Sequence, residues 1–383
     1  MDRDELQTWL RLQRTPGIGN VTARKLLGAL GLPAHIFQAS EVALAQLTSS
    51  AQSASLRSVP ADLDEAVATT WDWLQFAPDH RRVLPLGDPH YPASLLQCDD
   101  PPLLLYAIAP DWVWAQSRLT HSAGRSIAMV GSRNPSAQGG ENAQQFAKAF
   151  AGQGWTVVSG LALGVDSAAH AGALDGGDAE MIATIAVVGT GLDRVYPRQH
   201  KALAHRIAQH GVLLSEYPLG TPPLAENFPR RNRLIAGLSM GTLVVEAALQ
   251  SGSLITARLA LEQGKDVFAI PGSIHAPQSR GCHALIKQGA QLVESPRDVL
   301  EALGTPSPVA IDSIAAYAYS TGSECQNSSP LLESMGFDPV GLDALLARTG
   351  LDTPSLQAQL MAFELEGAIA RLPGGLFQRM IRA

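Results

Sequence analysis

From about residue 126 onward, short apolar runs rich in β-branched residues alternate with segments of helical periodicity. The runs lie at 127–130, 156–158, 182–188, 212–214, 242–245, 267–270 and 291–293. Helical patterns fall between most of them, at 138–152, 165–176, 198–210, 231–239, 254–264 and 282–289. Runs that are apolar throughout have no solvent face, so the alternation predicts a parallel sheet covered by helices on both sides. Ligands on such sheets sit at the carboxyl ends of the strands. Upstream, Leu6, Leu10, Val21, Leu26 and Leu27 recur at helical spacing and predict a helical first segment. The proline-rich stretch 82–110 reads as an irregular connection, with a strand at 103–108 on the sheet edge. Residues 304–330, rich in Ser, Thr, Pro and Ala, read as a linker. Helix patterns at 342–349 and 355–366, then a Pro373-Gly374-Gly375 turn before Leu376-Phe377, give the order of a winged helix. The expected division is a helical domain at 1–78, an α/β domain at 79–303, the linker at 304–330 and the winged helix at 331–383.

Composition narrows the class. With 383 residues, 46% hydrophobic and 16% charged, the chain is a globular protein with room for two or three domains. The apolar runs are too short to cross a bilayer, and the acidic start, Met1 to Glu5, lacks the pattern of a secretory signal, so a cytoplasmic protein is expected. Cys98, Cys282 and Cys325 are odd in number and widely spaced, which predicts neither a disulfide framework nor a zinc site. No metal and no cofactor is expected. The net charge of −7 argues against a protein that coats nucleic acid, so any such binding requires a local basic patch. The winged helix carries acids at Glu333, Asp338, Asp343, Asp352, Glu364 and Glu366 against Arg348, Arg371, Arg379 and Arg382. Its second helix has no Lys or Arg, which favours a protein-interaction or structural role over groove binding.

The chemistry gathers at glycine-rich strand ends. Gly131-Ser132-Arg133 follows the first parallel strand, where glycine admits close backbone approach, serine donates and arginine offers a two-pronged fork. The bulky Arg133-Asn134-Pro135 that follows separates it from the dinucleotide fingerprint. Ser159-Gly160 ends the next strand. Asp166 and His170, four apart on the following helix, are read as a first-turn acid and a packed histidine, since no third ligand or nucleophile accompanies them. Arg230, Arg231, Asn232 and Arg233 follow Phe228-Pro229 at a helix start, where cations oppose the dipole and are expected to serve an anion. Phe228 is either a base-stacking or a core residue. Gly252 and Ser253, with Thr256, open another helix, as caps or phosphate ligands. Glu246, at a strand end, is expected to pair with one of the arginines. Backbone amides at several such turns on one sheet suit a ligand with several phosphates. Thr15 to Leu27 resembles a helix-hairpin-helix element, whose glycine turn either meets a DNA phosphate or merely joins two packed helices.

These segments together resemble the DNA-processing protein A family (DprA/Smf) over about 84–293. They include Val130-Gly-Ser-Arg133, Ser159 to Asp166, Val188 to Asp193 with Tyr196-Pro197, and Ser215 to Pro218. Phe228 to Leu238, Val245 to Ala247, Ser251 to Ala257 and Val267 to Ser273 complete the set. The resemblance implies an extended Rossmann-like domain with a sterile-alpha-motif-like helical domain before it and, in some members, a winged helix after it. It implies a non-enzymatic, homodimeric single-stranded DNA-binding protein that protects incoming DNA in natural transformation and loads the RecA recombinase. Single-strand-binding protein is a further candidate partner. By motif, the implied DNA contacts are Gly131, Ser132, Arg133, Ser159, Gly160, Arg230, Arg231, Asn232, Arg233, Gly252 and Ser253. The implied dimer face holds His283, Ile286 and Leu292. Leu163 departs from the family, where many relatives carry a basic residue. A competing expectation is a nucleotide phosphoribohydrolase of the lysine-decarboxylase-like family. Gly241-Thr242 followed by Glu246 resembles its catalytic loop, although the Pro-Gly-Gly opening is absent and the glutamate stands one residue too far along.

Overall fold

The computed structural model describes residues 1–179, 181–304 and 329–380. Six helices open the chain: α1 (Arg3–Arg14), α2 (Asn20–Leu30), α3 (Pro33–Gln38), α4 (Glu41–Leu47), α5 (Ser50–Arg57) and α6 (Leu63–Phe76). Side chains set their starts. Asp2 accepts from the Glu5 amide at α1, and Ser49 with Gln52 forms a reciprocal box at α5. Leu6, Leu10, Leu26, Ile36 and Leu56 meet in the centre of this bundle. In the α1–α2 hairpin Gly17 takes φ +78°, and its carbonyl accepts from Gln52 Nε2 at 2.9 Å. The hairpin is thereby tied to α5.

The main sheet has nine strands: β1 (Arg81–Pro85), β2 (Leu104–Ile108), β3 (Ser126–Val130), β4 (Thr156–Ser159), β5 (Thr184–Val187), β6 (Val212–Ser215), β7 (Gly241–Val244), β8 (Asp266–Ala269) and β9 (Gln291–Leu292). Their spatial order is β1-β2-β6-β5-β4-β3-β7-β8-β9. Every pairing from β6 to β9 is parallel, whereas β2 runs antiparallel to both β1 and β6. The stretch 82–110 is therefore not an irregular connection, and β2 is not the edge. Two strands extend the sheet because the bundle covers one of their faces: Val83, Leu104 and Tyr106 lie in the same core as Leu6 and Trp9.

Among the described residues, nine α-helices follow β2 before residue 304: α7 (Asp111–Ala115), α8 (Arg118–Ser122), α9 (Ala137–Gly152), α10 (Val165–Gly176), α11 (Lys201–His210), α12 (Asn227–Leu238), α13 (Ser253–Glu262), α14 (Arg280–Lys287) and α15 (Pro296–Ala302). Successive residues of a strand point to opposite faces. Ile127 and Met129 of β3 accordingly pack with Phe146 and Phe150 of α9, while Ala128 and Val130 pack with Leu234 and Ile235 of α12. The order β5-β4-β3-β7-β8 reverses direction between β3 and β7, and α12 begins one turn earlier than the arginine cluster.

The C-terminal unit comprises α16 (Pro330–Met335), β10 (Val340–Gly341), α17 (Leu342–Thr349), α18 (Thr353–Leu365), β11 (Ile369–Leu372) and β12 (Leu376–Arg379). The three strands form a small antiparallel sheet over Leu345, Leu356 and Leu360, the winged-helix arrangement. Helix α16 and strand β10 add to what the sequence suggested. The expected linker falls, apart from its ends, outside the described residues.

Candidate nucleic-acid interface

A groove of about 780 Å³ opens at the carboxyl ends of β3 and β7, where the strand order reverses. Open α/β sheets bind ligands at this place. Gly131, Ser132 and Arg133 form one wall, and Gly252, Ser253 and Thr256 at the start of α13 form another. Ser132 Oγ accepts from the Asn134 amide at 3.1 Å, which makes the turn after β3 compact and turns Arg133 outward. Asn232, on α12, donates to the Gly252 carbonyl at 3.3 Å and ties the two walls together. No side chain caps α13 at Gly252. Thr256 is 1% exposed, lines the groove, and its Oγ1 has no hydrogen-bond partner among the described residues. Buried polar atoms are nearly always satisfied, so an orphan in a groove wall marks a place where a ligand or water completes the set.

Four of the expected contact residues turn elsewhere. Ser159 donates to the Met129 carbonyl at 2.6 Å. The Gly160 and Ala162 amides donate to Asp166 Oδ2 at 3.1 and 3.3 Å, and the Leu161 amide donates to His170 Nε2. The first three amides of the turn after β4, those of Gly160, Leu161 and Ala162, are thus spent inward. Asp166 and His170 serve that turn, and no metal-ligand or acid–base role is needed for them. Arg231 is 4% exposed; its Nη1 donates to the Gly160 carbonyl at 2.6 Å and to the Val187 carbonyl. Burial pushes its pKa down to about 10, with nearby Asp166 opposing the shift, so it stays protonated as a fixed positive charge in the groove floor. Arg233 pairs with Glu216 and stands 3.9 Å from Asp100. The cluster is not one basic patch, because successive helical residues turn by about 100° and face different ways. Arg230 alone of the three arginines is exposed.

Two pairings differ from what the sequence suggested. Tyr196 and Phe228 stand with ring centroids 5.7 Å apart, and the Arg133 guanidinium lies 5.8 Å from the Phe228 ring centre. Tyr196 is 46% exposed, so the pair forms a half-wet aromatic shelf on the groove rim. Phe228 was a stacking candidate from the sequence, whereas Tyr196 was marked only by a Tyr-Pro in a glycine-rich loop. Glu246 does not pair with an arginine. It accepts from the Ser136 amide at 2.9 Å and the Ser136 hydroxyl at 2.6 Å, at the start of α9, and burial raises its pKa. At the far edge of the sheet, His283 bonds the Gly272 carbonyl at 2.9 Å and Ile286 packs partly on the core, while Leu292 projects, 45% exposed.

Residues 82–304 match the family model of DNA recombination-mediator protein A, and residues 324–375 match the DprA winged helix domain. The chain belongs to the DNA recombination-mediator protein A family. Protein Smf of Escherichia coli is 42% identical over 322 residues, which cover 83% of this chain and 82% of that protein. DNA processing protein DprA of Bacillus subtilis is 39% identical, over 65% of this chain and 84% of that one. The X-ray structure of DNA processing protein A from Streptococcus pneumoniae superposes with a TM-score of 0.61 at 34% identity, covering 79% of this chain and 98% of that chain. A structure of the Helicobacter pylori protein, described for its single-stranded DNA binding mode, gives a TM-score of 0.50 at 30% identity, covering 59% and 97%.

Proposed function

We propose that the groove between β3 and β7 holds single-stranded DNA, and that the protein protects incoming DNA in natural transformation and loads the RecA recombinase onto it. The observation that carries this reading is one groove holding an outward cation (Arg133), an aromatic shelf (Tyr196, Phe228) and an orphaned hydroxyl (Thr256). Phosphates take the cations and glycine turns, and bases lie against the aromatic faces, which every base can do, so sequence preference is small. Gly131, Ser132, Arg133, Arg230, Asn232, Gly252 and Ser253 are the contacts we assign; Arg231 supplies charge from behind. The family relation and the subject of the Helicobacter structure support the same ligand. No chemical step is required of it. The nucleotide-hydrolase reading loses its candidate carboxylate, since Glu246 is engaged at the start of α9.

The protein acts in the cytoplasm as a homodimer through α14 and β9, and single-strand-binding protein is a further partner in this reading. Among the described residues no helix is long and apolar enough to cross a membrane. Fluorescence anisotropy of labelled poly-dT against a matched duplex, over a salt series, tests the ligand. Preference for the single strand with a steep salt slope is expected, and equal or absent binding ends the reading. Light scattering of Leu292→Asp tests the dimer, which is expected to become monomeric.

A further inference from the structure

The main sheet ends on β1, whose outer edge has no strand partner among the described residues. In an antiparallel pair the main-chain groups of successive residues face alternately toward and away from the partner strand. The Leu86 amide donates to the Leu103 carbonyl and the Ala109 amide to the His80 carbonyl, each at 2.9 Å, so the even-numbered positions from 80 to 86 face β2. Arg81, Val83 and Pro85 therefore face outward. Both ends of this edge are closed: the Arg81 amide donates to the Ala77 carbonyl, and the Pro85 carbonyl accepts from the Asp88 amide, each at 2.9 Å. Between them, the amide and carbonyl of Val83 and the carbonyl of Arg81 have no main-chain partner among the described residues. Val83 is 5% exposed. Buried main-chain groups are nearly always paired, so this gap marks a place for a guest.

A groove of about 390 Å³ lies along the same edge. Trp71 and Leu74 of α6 wall it on the face where Val83 packs with the helical bundle. Arg82 and His90 line the other face: Arg82 shares its side of the strand with Leu84, and His90 meets Trp114 edge to face in the core that holds Leu84. Arg82 is exposed and joins no ion pair among the described residues. Of the described lining residues only Asp88 is acidic, and its Oδ1 accepts from the His90 amide at 2.7 Å.

We propose that this groove docks a short, extended, acidic segment of a partner protein, added to β1 as a further strand. One guest residue exchanges both main-chain bonds with Val83. Its side chain lies on the bundle face, beside Trp71 and Leu74, and is apolar. The residues before and after it point to the face of Arg82 and His90, where a carboxylate finds an unpaired cation. From Arg81 to Pro85 the edge is roughly 13 Å long, so the guest is limited to a few residues. A second copy does not fit, because its own β1 carries the same walls and the two sets would collide. The site stands at the opposite edge of the sheet from β9 and away from the Arg133 groove, so the inference does not depend on the strand-binding reading.

The probe is a fluorescein-labelled Asp-Val-Asp-Val-Asp peptide, titrated into the full chain and followed by anisotropy. Two controls carry the same label: the peptide N-methylated at both valines, which cannot donate to the Val83 carbonyl, and a Lys-Val-Lys-Val-Lys peptide. Wild type is expected to bind the acidic peptide below millimolar concentration and each control about tenfold more weakly. Exchange of the Val83 amide is expected to slow when the acidic peptide is bound. Arg82→Glu, at an exposed position, is expected to weaken the acidic peptide severalfold and to favour the lysine peptide, with poly-dT affinity within twofold of wild type. Absence of binding at millimolar concentration overturns the proposal, as does equal binding of either control. Binding without slower exchange at Val83 places the peptide elsewhere and overturns it too. Failure of wild type to bind poly-dT would instead remove the strand-binding reading and leave this one standing.

Discussion

The Arg133 guanidinium sits 5.8 Å from the centre of the Phe228 ring, and no carboxylate pairs with it among the described residues. An arginine steadied by an aromatic face, with its fork left over, is prepared for a phosphate. Arg133→Ala should weaken poly-dT binding by roughly 1.5–3 kcal/mol, about 10- to 150-fold, with the fold intact. The logarithmic salt slope should fall by about 0.7 for the lost contact. Arg133→Lys should restore part of the slope and less of the affinity. Anisotropy across the salt series measures both, and an unchanged slope in a folded alanine variant would remove Arg133 from the site.

Tyr196 presents its ring to solvent beside Phe228. Replacing it with alanine should cost about 1–3 kcal/mol of single-strand affinity, the usual value of one stacked base. Phenylalanine should retain most of it. An abasic strand is the control: the alanine substitution should have little effect on its binding. An equal loss on both strands would mean that Tyr196 acts on the phosphates or the loop and not on a base.

Neighbouring arginines should behave as opposites. Arg231→Leu strands the Gly160 and Val187 carbonyls and leaves Asp166 without its nearby cation. It should destabilise the fold by on the order of 3–5 kcal/mol, read as a lower urea midpoint. Arg230→Ala, at an exposed position, should leave the midpoint unchanged and lower poly-dT affinity. The reverse pattern would contradict the roles assigned to the two.

His170 is fully buried, donates to Thr184 Oγ1 at 2.7 Å and accepts from Leu161. Burial, helped by the charge of Arg231, pushes its pKa from 6.5 down to about 3. The unfolded chain takes up this proton below about 6.5 and the folded chain does not, so stability falls as pH drops through that window. Between pH 6.5 and 3 wild type should lose stability more steeply than His170→Gln, by up to roughly 1.4 kcal/mol per pH unit. Urea unfolding at several pH values checks the slope, and parallel curves would mean that the imidazole protonates in the folded protein.

The parallel strands and their covering helices were legible because residues such as Ile127–Val130 are apolar throughout and flanked by glycine, a local property. Strand β1 was not. Arg81, Arg82 and Pro85 spoil its pattern, and Val83 makes sense only against the helical bundle, which lies earlier in the chain. The groove position followed from strand ends, but the fate of each arginine did not. Whether Arg231 meets solvent or two carbonyls depends on which side of α12 faces the sheet, and four consecutive polar residues conceal this. The pairing of Glu246 with Ser136 joins positions 110 apart and left no trace in either neighbourhood.

The helical bundle lacks a sealed interior of its own. Tyr106 of β2, inaccessible to water, meets Trp73 of α6 edge to face at 6.3 Å, and Val83 and Leu104 fill in beside it. A fluctuation that lifts the bundle wets a strand hydrogen-bonded on both sides within the main sheet. Amide exchange in α1 and in β2 is therefore coupled to one opening event, and cleavage between α6 and β1 would yield two fragments that each expose what the other had kept dry.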